Sequence, residues 1–98
     1  MQIIPFPEYL EDLNRIQTYV HEQDIYEGTD NISLMEQGII EALDFIRQNP
    51  KGRPLLPKST RMRPITIGKS SLYIVYEYIE SLNKIYLVKM RDYSQEPE

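Results

Sequence analysis

Between Arg47 and Lys69 the chain carries seven basic side chains, Arg47, Lys51, Arg53, Lys58, Arg61, Arg63 and Lys69, and no acid. Residues of this type at this density suit the electrostatic capture of an anion, whether a phosphate or an acidic protein surface, and equally suit a solvated connection. Lys84, Lys89 and Arg91 extend the basic supply toward the carboxyl end. Other chemistry is poorly provided for. There is no cysteine, which removes disulfides, thiolate zinc sites, iron–sulfur clusters and thiol nucleophiles together. His21 is the only histidine, so a histidine-rich metal site and a Ser-His-Asp triad both lose support, and His21 reads as a solvent-facing helix residue. No cofactor or metal is implied.

The bases are unevenly placed. Residues 1–46 hold ten acids and the single base Arg15, a balance of minus nine, whereas residues 47–98 hold ten bases and five acids, a balance of plus five. The net charge of minus four argues on average against general nucleic-acid affinity, but the two halves differ in sign, and an anion is expected to meet the second. At 98 residues, with 41% hydrophobic and 27% charged side chains, the chain has the composition of one globular domain, 1–98, with one core. Its longest apolar runs fall far short of the roughly 18 residues that span a bilayer. The opening segment has acids and no basic block before an apolar one, so neither membrane partner nor secretory leader is expected and the cytoplasm is the expected location.

The elements that must position these bases follow from pattern and punctuation. Gln2-Ile3-Ile4 is an extended start that Pro5-Phe6-Pro7 interrupts. Pro7 suits the first turn of a helix whose acids Glu8, Glu11 and Asp12 sit at the positive end of its dipole. Leu10, Leu13, Ile16 and Val20 make its apolar stripe to about Tyr26, with Glu11, Asp12, Arg15 and Glu22 facing away. After a connection of about six residues, Ser33 and Glu36 read as a capping box opening a second helix, buried through Met35, Ile39, Ala42, Leu43 and Ile46 and stopped at Asn49 by Pro50. The short connection favours an antiparallel helical hairpin.

Beyond Pro50 the period shortens to two. Ile65 and Ile67 mark a strand whose start Pro64 places at an edge or bulge, or before the pairing begins, Gly68 to Ser71 a turn, and Leu72 to Ile79 the strongest strand, expected to be central. Tyr73, Tyr76, Tyr78 and Tyr86 read as core and cross-strand packing in preference to base-stacking platforms. Lys84 to Arg91 is the last strand, with Tyr86, Val88 and Met90 on one side and Ile85, Leu87, Lys89 and Arg91 on the other. Ser94 to Glu98 lacks an apolar pattern and is expected to be a loosely held tail. The result is an α+β arrangement: a short N-terminal strand, a helical hairpin, then a three-stranded antiparallel meander with the hairpin on one face.

In this order, Glu11-Asp12-Leu13-x-x-Ile16-x-x-Tyr19 on the first helix, Asn49-Pro50 followed by Gly52-Arg53-Pro54, Tyr73-Ile74-Val75-Tyr76-Glu77, and Ile85 to Arg91 resemble the RelE/ParE superfamily of bacterial type II toxins, also called plasmid-stabilisation proteins. The resemblance covers roughly Ile3 to Pro97. It implies a toxin neutralised by a cognate antitoxin protein that lies across its apolar and basic surfaces. RelE-like members cut messenger RNA on the ribosome; ParE-like members poison DNA gyrase.

Cleavage through a 2′-hydroxyl needs a proton acceptor, a cation at the phosphate and an acid for the leaving oxygen. By resemblance, Arg61 and Arg63 would hold phosphates, Arg91 would end a strand beside them, and Asp92 or Tyr93 would move protons. The chain departs from the nuclease pattern where Tyr73 stands in place of a frequent arginine and Asp92-Tyr93-Ser94-Gln95 in place of a histidine- and arginine-rich segment. An unshifted tyrosine titrates near 10 and an aspartate near 4, neither suited to proton transfer at neutral pH. The ParE-like branch is therefore favoured, with Arg53, Lys58, Arg61, Arg63, Lys89 and Arg91 as expected partner or target contacts. The alternatives are a ribosome-dependent endonuclease and a non-toxic antitoxin-binding relative.

Overall fold

The computed structural model describes residues 1–93; the expected tail at 94–98 lies outside them. In chain order the elements are β1 (Gln2–Pro5), α1 (Pro7–Glu27), α2 (Asn31–Gln48), β2 (Met62–Thr66), β3 (Leu72–Ile79), a 3-10 turn (Glu80–Leu82) and β4 (Lys84–Asp92). The short first strand joins the meander to make one mixed sheet of order β1-β4-β3-β2. β1 runs parallel to β4, with Ile3 opposite Ile85, and the other pairings are antiparallel. β3 is interior as expected, and β2, bearing Pro64, is an edge strand. Pro5 does not stop β1 but closes it, and the Phe6 amide still donates to the Leu87 carbonyl at 2.8 Å.

Both helices cover one face of the sheet. Ile16, Met35, Ala42 and Ile46 join Ile65, Ile67, Leu72, Ile74, Tyr76, Ile85, Leu87 and Met90 in one core. Gly38 lets α2 approach closely, because a Cβ there would stand 2.7 Å from Cγ2 of Ile67. Among the described residues no helix is long and apolar enough to cross a membrane.

Several expectations for the first helix are corrected. Leu10 is half exposed, whereas Tyr9 and Asp12, expected to be outside the stripe or facing away, are buried. Tyr9, Asp12 and Ile16 share one helix face at spacings of three and four, and this face, rather than the one through Leu10, meets the sheet. α1 and α2 are joined by three residues, 28–30, not six. α2 starts two residues before Ser33, and no Ser33–Glu36 capping box opens it. The cap comes from α1: the Asp24 carboxylate accepts from the Asn31 amide at 2.8 Å, the Ile32 amide at 2.7 Å and the Thr29 hydroxyl at 2.6 Å. The Asp24 carbonyl also accepts from the amides of Gly28 and Thr29, with Gly28 in the left-handed conformation that ends α1. One residue thus closes the first helix and opens the second.

The last strand is corrected by a bulge. β3 and β4 pair Val75 with Lys89 but Tyr76 with Leu87, so Val88 is inserted without a partner of its own. The insertion resets the alternation. Ile85, Leu87 and Met90 all reach the helix-covered core, while Lys89 and Arg91 turn to the opposite, outer face with Tyr86 instead of sharing a side with Ile85 and Leu87.

Candidate functional site

The basic connection is built by its prolines and by carbonyls that need donors. The Gly52 amide donates to the Asn49 carbonyl at 2.9 Å as the chain leaves α2, and the buried Tyr76 hydroxyl donates to the Pro50 carbonyl at 2.9 Å. Burial pushes the Tyr76 hydroxyl above its usual pKa, against the pull of nearby Arg63 and Arg53. Arg53 Nε donates to the Pro64 carbonyl at 3.3 Å, and Arg63 Nη1 donates to the Arg53 carbonyl. The Leu56 amide covers the Met62 carbonyl at 2.8 Å, and Ser59 Oγ accepts from the amides of Arg61 and Met62. The connection therefore seals the outer edge of β2, which would otherwise offer unpaired backbone groups to another chain. Two of the expected contact bases, Arg53 and Arg63, are used in that seal. Lys58 is exposed, with φ of 65°.

Arg61 lies just before β2 and pairs with Glu77 at 3.4 Å, its own side chain 69% exposed. Glu77 projects from the outer face, opposite Tyr86. Lys89 is half-buried on the same face, opposite Val75. Arg91 also springs from this face, opposite Tyr73, but its guanidinium turns back to α1: Nη1 donates to Asp12 Oδ2 and Nη2 approaches Glu8 at 3.5 Å. Asp12 Oδ2 also accepts from the Met90 amide at 3.1 Å, and Oδ1 pairs with Arg15 at 3.4 Å. β1 accompanies β4 only as far as Leu87, so Asp12 satisfies a backbone donor on the part of β4 beyond its neighbour's reach. Tyr93 stacks on buried Tyr73 with ring centroids 4.1 Å apart, and Asp92 accepts from the Ser71 hydroxyl at 2.6 Å. Phe6 and Tyr86 form a second aromatic pair, 5.2 Å apart.

The five residues expected to serve a nuclease do not converge on one point through direct contacts. Arg91 and Tyr93 adjoin one another at one end of the outer face, whereas Asp92, opposite Leu72, turns to the helix side. Arg63, opposite Tyr76, is three positions along β3 from Tyr73, about 10 Å. It lies across β3 from Arg91 and shares the helix side of the sheet with Ile65. Burial raises Tyr9 and Tyr76, and Asp24 is lowered first by the Thr29 hydroxyl and then by the two α2 amides, against the opposing effect of burial. All three move away from neutrality.

Sequence reasoning missed Asp12 and Asp24 as structural anchors. The signal for Asp12 was its place between Tyr9 and Ile16 at helical spacing; for Asp24 it was a carboxylate four residues after Val20 at a helix end followed by Gly28. Among the described residues no group of three His, Cys, Asp or Glu side chains is placed to hold a metal ion.

A chain of the solved structure "Chromosomal ParDE TA system from P. aeruginosa" superposes on this one with a TM-score of 0.70, covering 94% of this chain and 95% of that one at 14% identity. The two chains share one fold. No protein-family model matches the sequence, and no curated protein matches it. This fold places the helical hairpin over one side of the sheet and leaves the other side, with Lys89, the Arg61–Glu77 pair and the Tyr73–Tyr93 stack, turned outward.

Proposed function

We propose that the chain is the toxin component of a bacterial type II toxin–antitoxin system, a single RelE/ParE-like domain over residues 1–98. It acts in the cytoplasm by binding DNA gyrase and is held in check by a cognate antitoxin, the arrangement of a plasmid-stabilisation protein. The observation that carries this reading is the superposition, end to end, on a chain of a ParDE toxin–antitoxin structure. Inhibition by contact rather than by cleavage is supported by the corner at Arg91, where the guanidinium is committed to Asp12 and Glu8. Lys58, Arg61 and Lys89 are the bases assigned to target or antitoxin contact; Arg53, Arg63 and Arg91 contribute charge from within their own hydrogen-bonded clips. Induced expression should arrest growth, and purified chain should inhibit gyrase supercoiling. Normal growth on expression would point to a non-toxic antitoxin-binding relative, and an unaffected gyrase would remove the target assignment.

One observation favours the second reading, a ribosome-dependent messenger-RNA endonuclease: the exposed Tyr93 stacks on Tyr73 directly beside Arg91. In that reading Arg91 and Arg61, with Arg63, hold phosphates while Asp92 or Tyr93 carries the proton. Toeprinting of translated messages would then show cuts with the natural chain that disappear with Arg91→Ala. Identical patterns with no added cuts would leave only the contact mechanism.

A further inference from the structure

The cations of this chain divide into those that meet an acid and those that do not. Arg15 and Arg91 pair with acids of α1, Lys51 with Glu80 and Arg61 with Glu77. Among the described residues no acid pairs with Lys58, Lys84 or Lys89. Lys84 alternates with Tyr86 on β4, so Lys84 and Lys89 both stand on the outer face. Their partners Ile79 and Val75 are four positions apart on β3, about 13 Å. On the far side of β3, Ser59 Oγ fastens the turn bearing Lys58 to the amides of Arg61 and Met62. The outer face therefore carries two short rows of bases, one on β4 and one at the β2 edge, separated by β3 and standing about 10 Å apart. The exposed acids Glu11, Glu22, Glu36, Glu41 and Asp44 belong to the helices on the other side of the sheet.

We propose that this face lies on the phosphate backbones of the duplex that gyrase holds, so that the chain binds the enzyme–DNA complex in preference to the enzyme alone. The inference rests on the gyrase reading and adds a second component of the target, duplex DNA, and a further contact residue, Lys84. Two rows suit the two backbones that border one groove of a duplex. A single acidic peptide would follow one row and leave the other unmet. Glu77 lies between the rows, its side chain 17% exposed and held by Arg61. Under a groove it meets no phosphate, whereas a continuous acidic surface would meet it as a like charge. The rows spring from a sheet and its edge, not from a helix or ribbon that enters the major groove, so the contact is to phosphate and independent of sequence. A chain of net charge minus four with four such contacts holds free DNA only weakly; delivered by gyrase, the same contacts act at high effective concentration. The acidic helices turn away from the duplex and fix which side approaches it.

The test measures binding of the whole chain to gyrase with and without a bound linear duplex, across a salt series. Affinity for the DNA-bound enzyme is expected to be higher by about tenfold or more at low salt, with a salt slope steeper by about three to four, near 0.9 for each phosphate met. Lys84→Gln, Lys89→Gln and Arg61→Gln should each take about one from that excess slope, and the double variant Lys84→Gln/Lys89→Gln should lose most of the gain. Arg47→Ala removes an exposed cation from the end of α2 and should keep the full gain. Melting temperatures close to that of the natural chain certify the variants, and the natural chain's own slope tests the proposal without them. Equal or weaker binding to the DNA-bound enzyme, with DNA-free gyrase still bound, overturns the phosphate contact and leaves the gyrase reading standing. The same loss toward both forms in the lysine variants also overturns it, assigning the face to a protein surface. Binding to neither form removes the gyrase reading and this inference together.

Discussion

Asp12 and Asp24 stand twelve positions apart on α1, both buried and both spent on backbone amides, yet their environments differ in kind. Asp24 is satisfied by neutral donors alone, the Thr29 hydroxyl and the first two amides of α2, all within eight residues of it. Asp12 takes one amide from Met90 and is flanked by two guanidinium groups, Arg91 and Arg15, the former 79 residues away. The first aspartate organises a local turn; the second ties the opposite ends of the chain together. A carboxylate with neutral partners is replaceable by another acceptor, whereas a carboxylate paired with a half-buried cation leaves that cation stranded when it is removed.

The sharpest way to break this comparison is Asp12→Ala, which strands the Arg91 guanidinium and the Met90 amide together. A loss of about 3 kcal/mol in urea-unfolding free energy is expected, with Asp12→Asn retaining part of it by keeping an acceptor for the amide. A smaller loss for the double variant Asp12→Ala/Arg91→Ala than for Asp12→Ala alone would sharpen the point, because removing the stranded cation should return some stability; equal losses would deny it.

Asp24→Ala should cost less, lowering the melting temperature by several degrees and fraying the start of α2 in hydrogen exchange. It should also carry a pH signature. Asp24 titrates below its ordinary value in the folded chain, so its contribution is fully present above about pH 4, where the unfolded chain's aspartate is also ionised, and is lost as pH falls through the folded value. The stability gap between the natural chain and Asp24→Asn should therefore be constant near neutrality and close in acid; a gap that persists at pH 2 would deny the carboxylate its capping role.

The smallest effect is expected from Arg61→Ala. Its pairing with Glu77 is made by a largely exposed side chain at 3.4 Å, and such pairs are worth under about 0.5 kcal/mol. A thermal melt indistinguishable from that of the natural chain, together with altered target binding, would mark Arg61 as a contact residue rather than a strut.

Most of the element order was legible without coordinates. Pro7 opens a helix, Pro50 closes one, Pro64 marks an edge strand, and the tyrosine- and β-branched-rich Leu72–Ile79 lies inside the sheet. The faces were less legible. A single inserted residue, Val88, moved Met90 into the core and carried Lys89 and Arg91 to the outer side, and nothing in the composition of β4 announces a bulge. The candidate site was legible only as a list of bases. That Arg53 and Arg63 seal the edge of β2 while Arg91 is held by Asp12 depends on carbonyls and a carboxylate brought close by folding.

What the sequence determined by itself is what short-range sterics and periodicity control: where helices start and stop, which segments extend, and which half of the chain is acidic or basic. The tertiary structure decided which of two nearly equivalent faces each element turns inward and which cation each buried carboxylate meets. Those choices are settled by the register of strands and by partners far along the chain, whose free energies are of the same order as the local preferences they override.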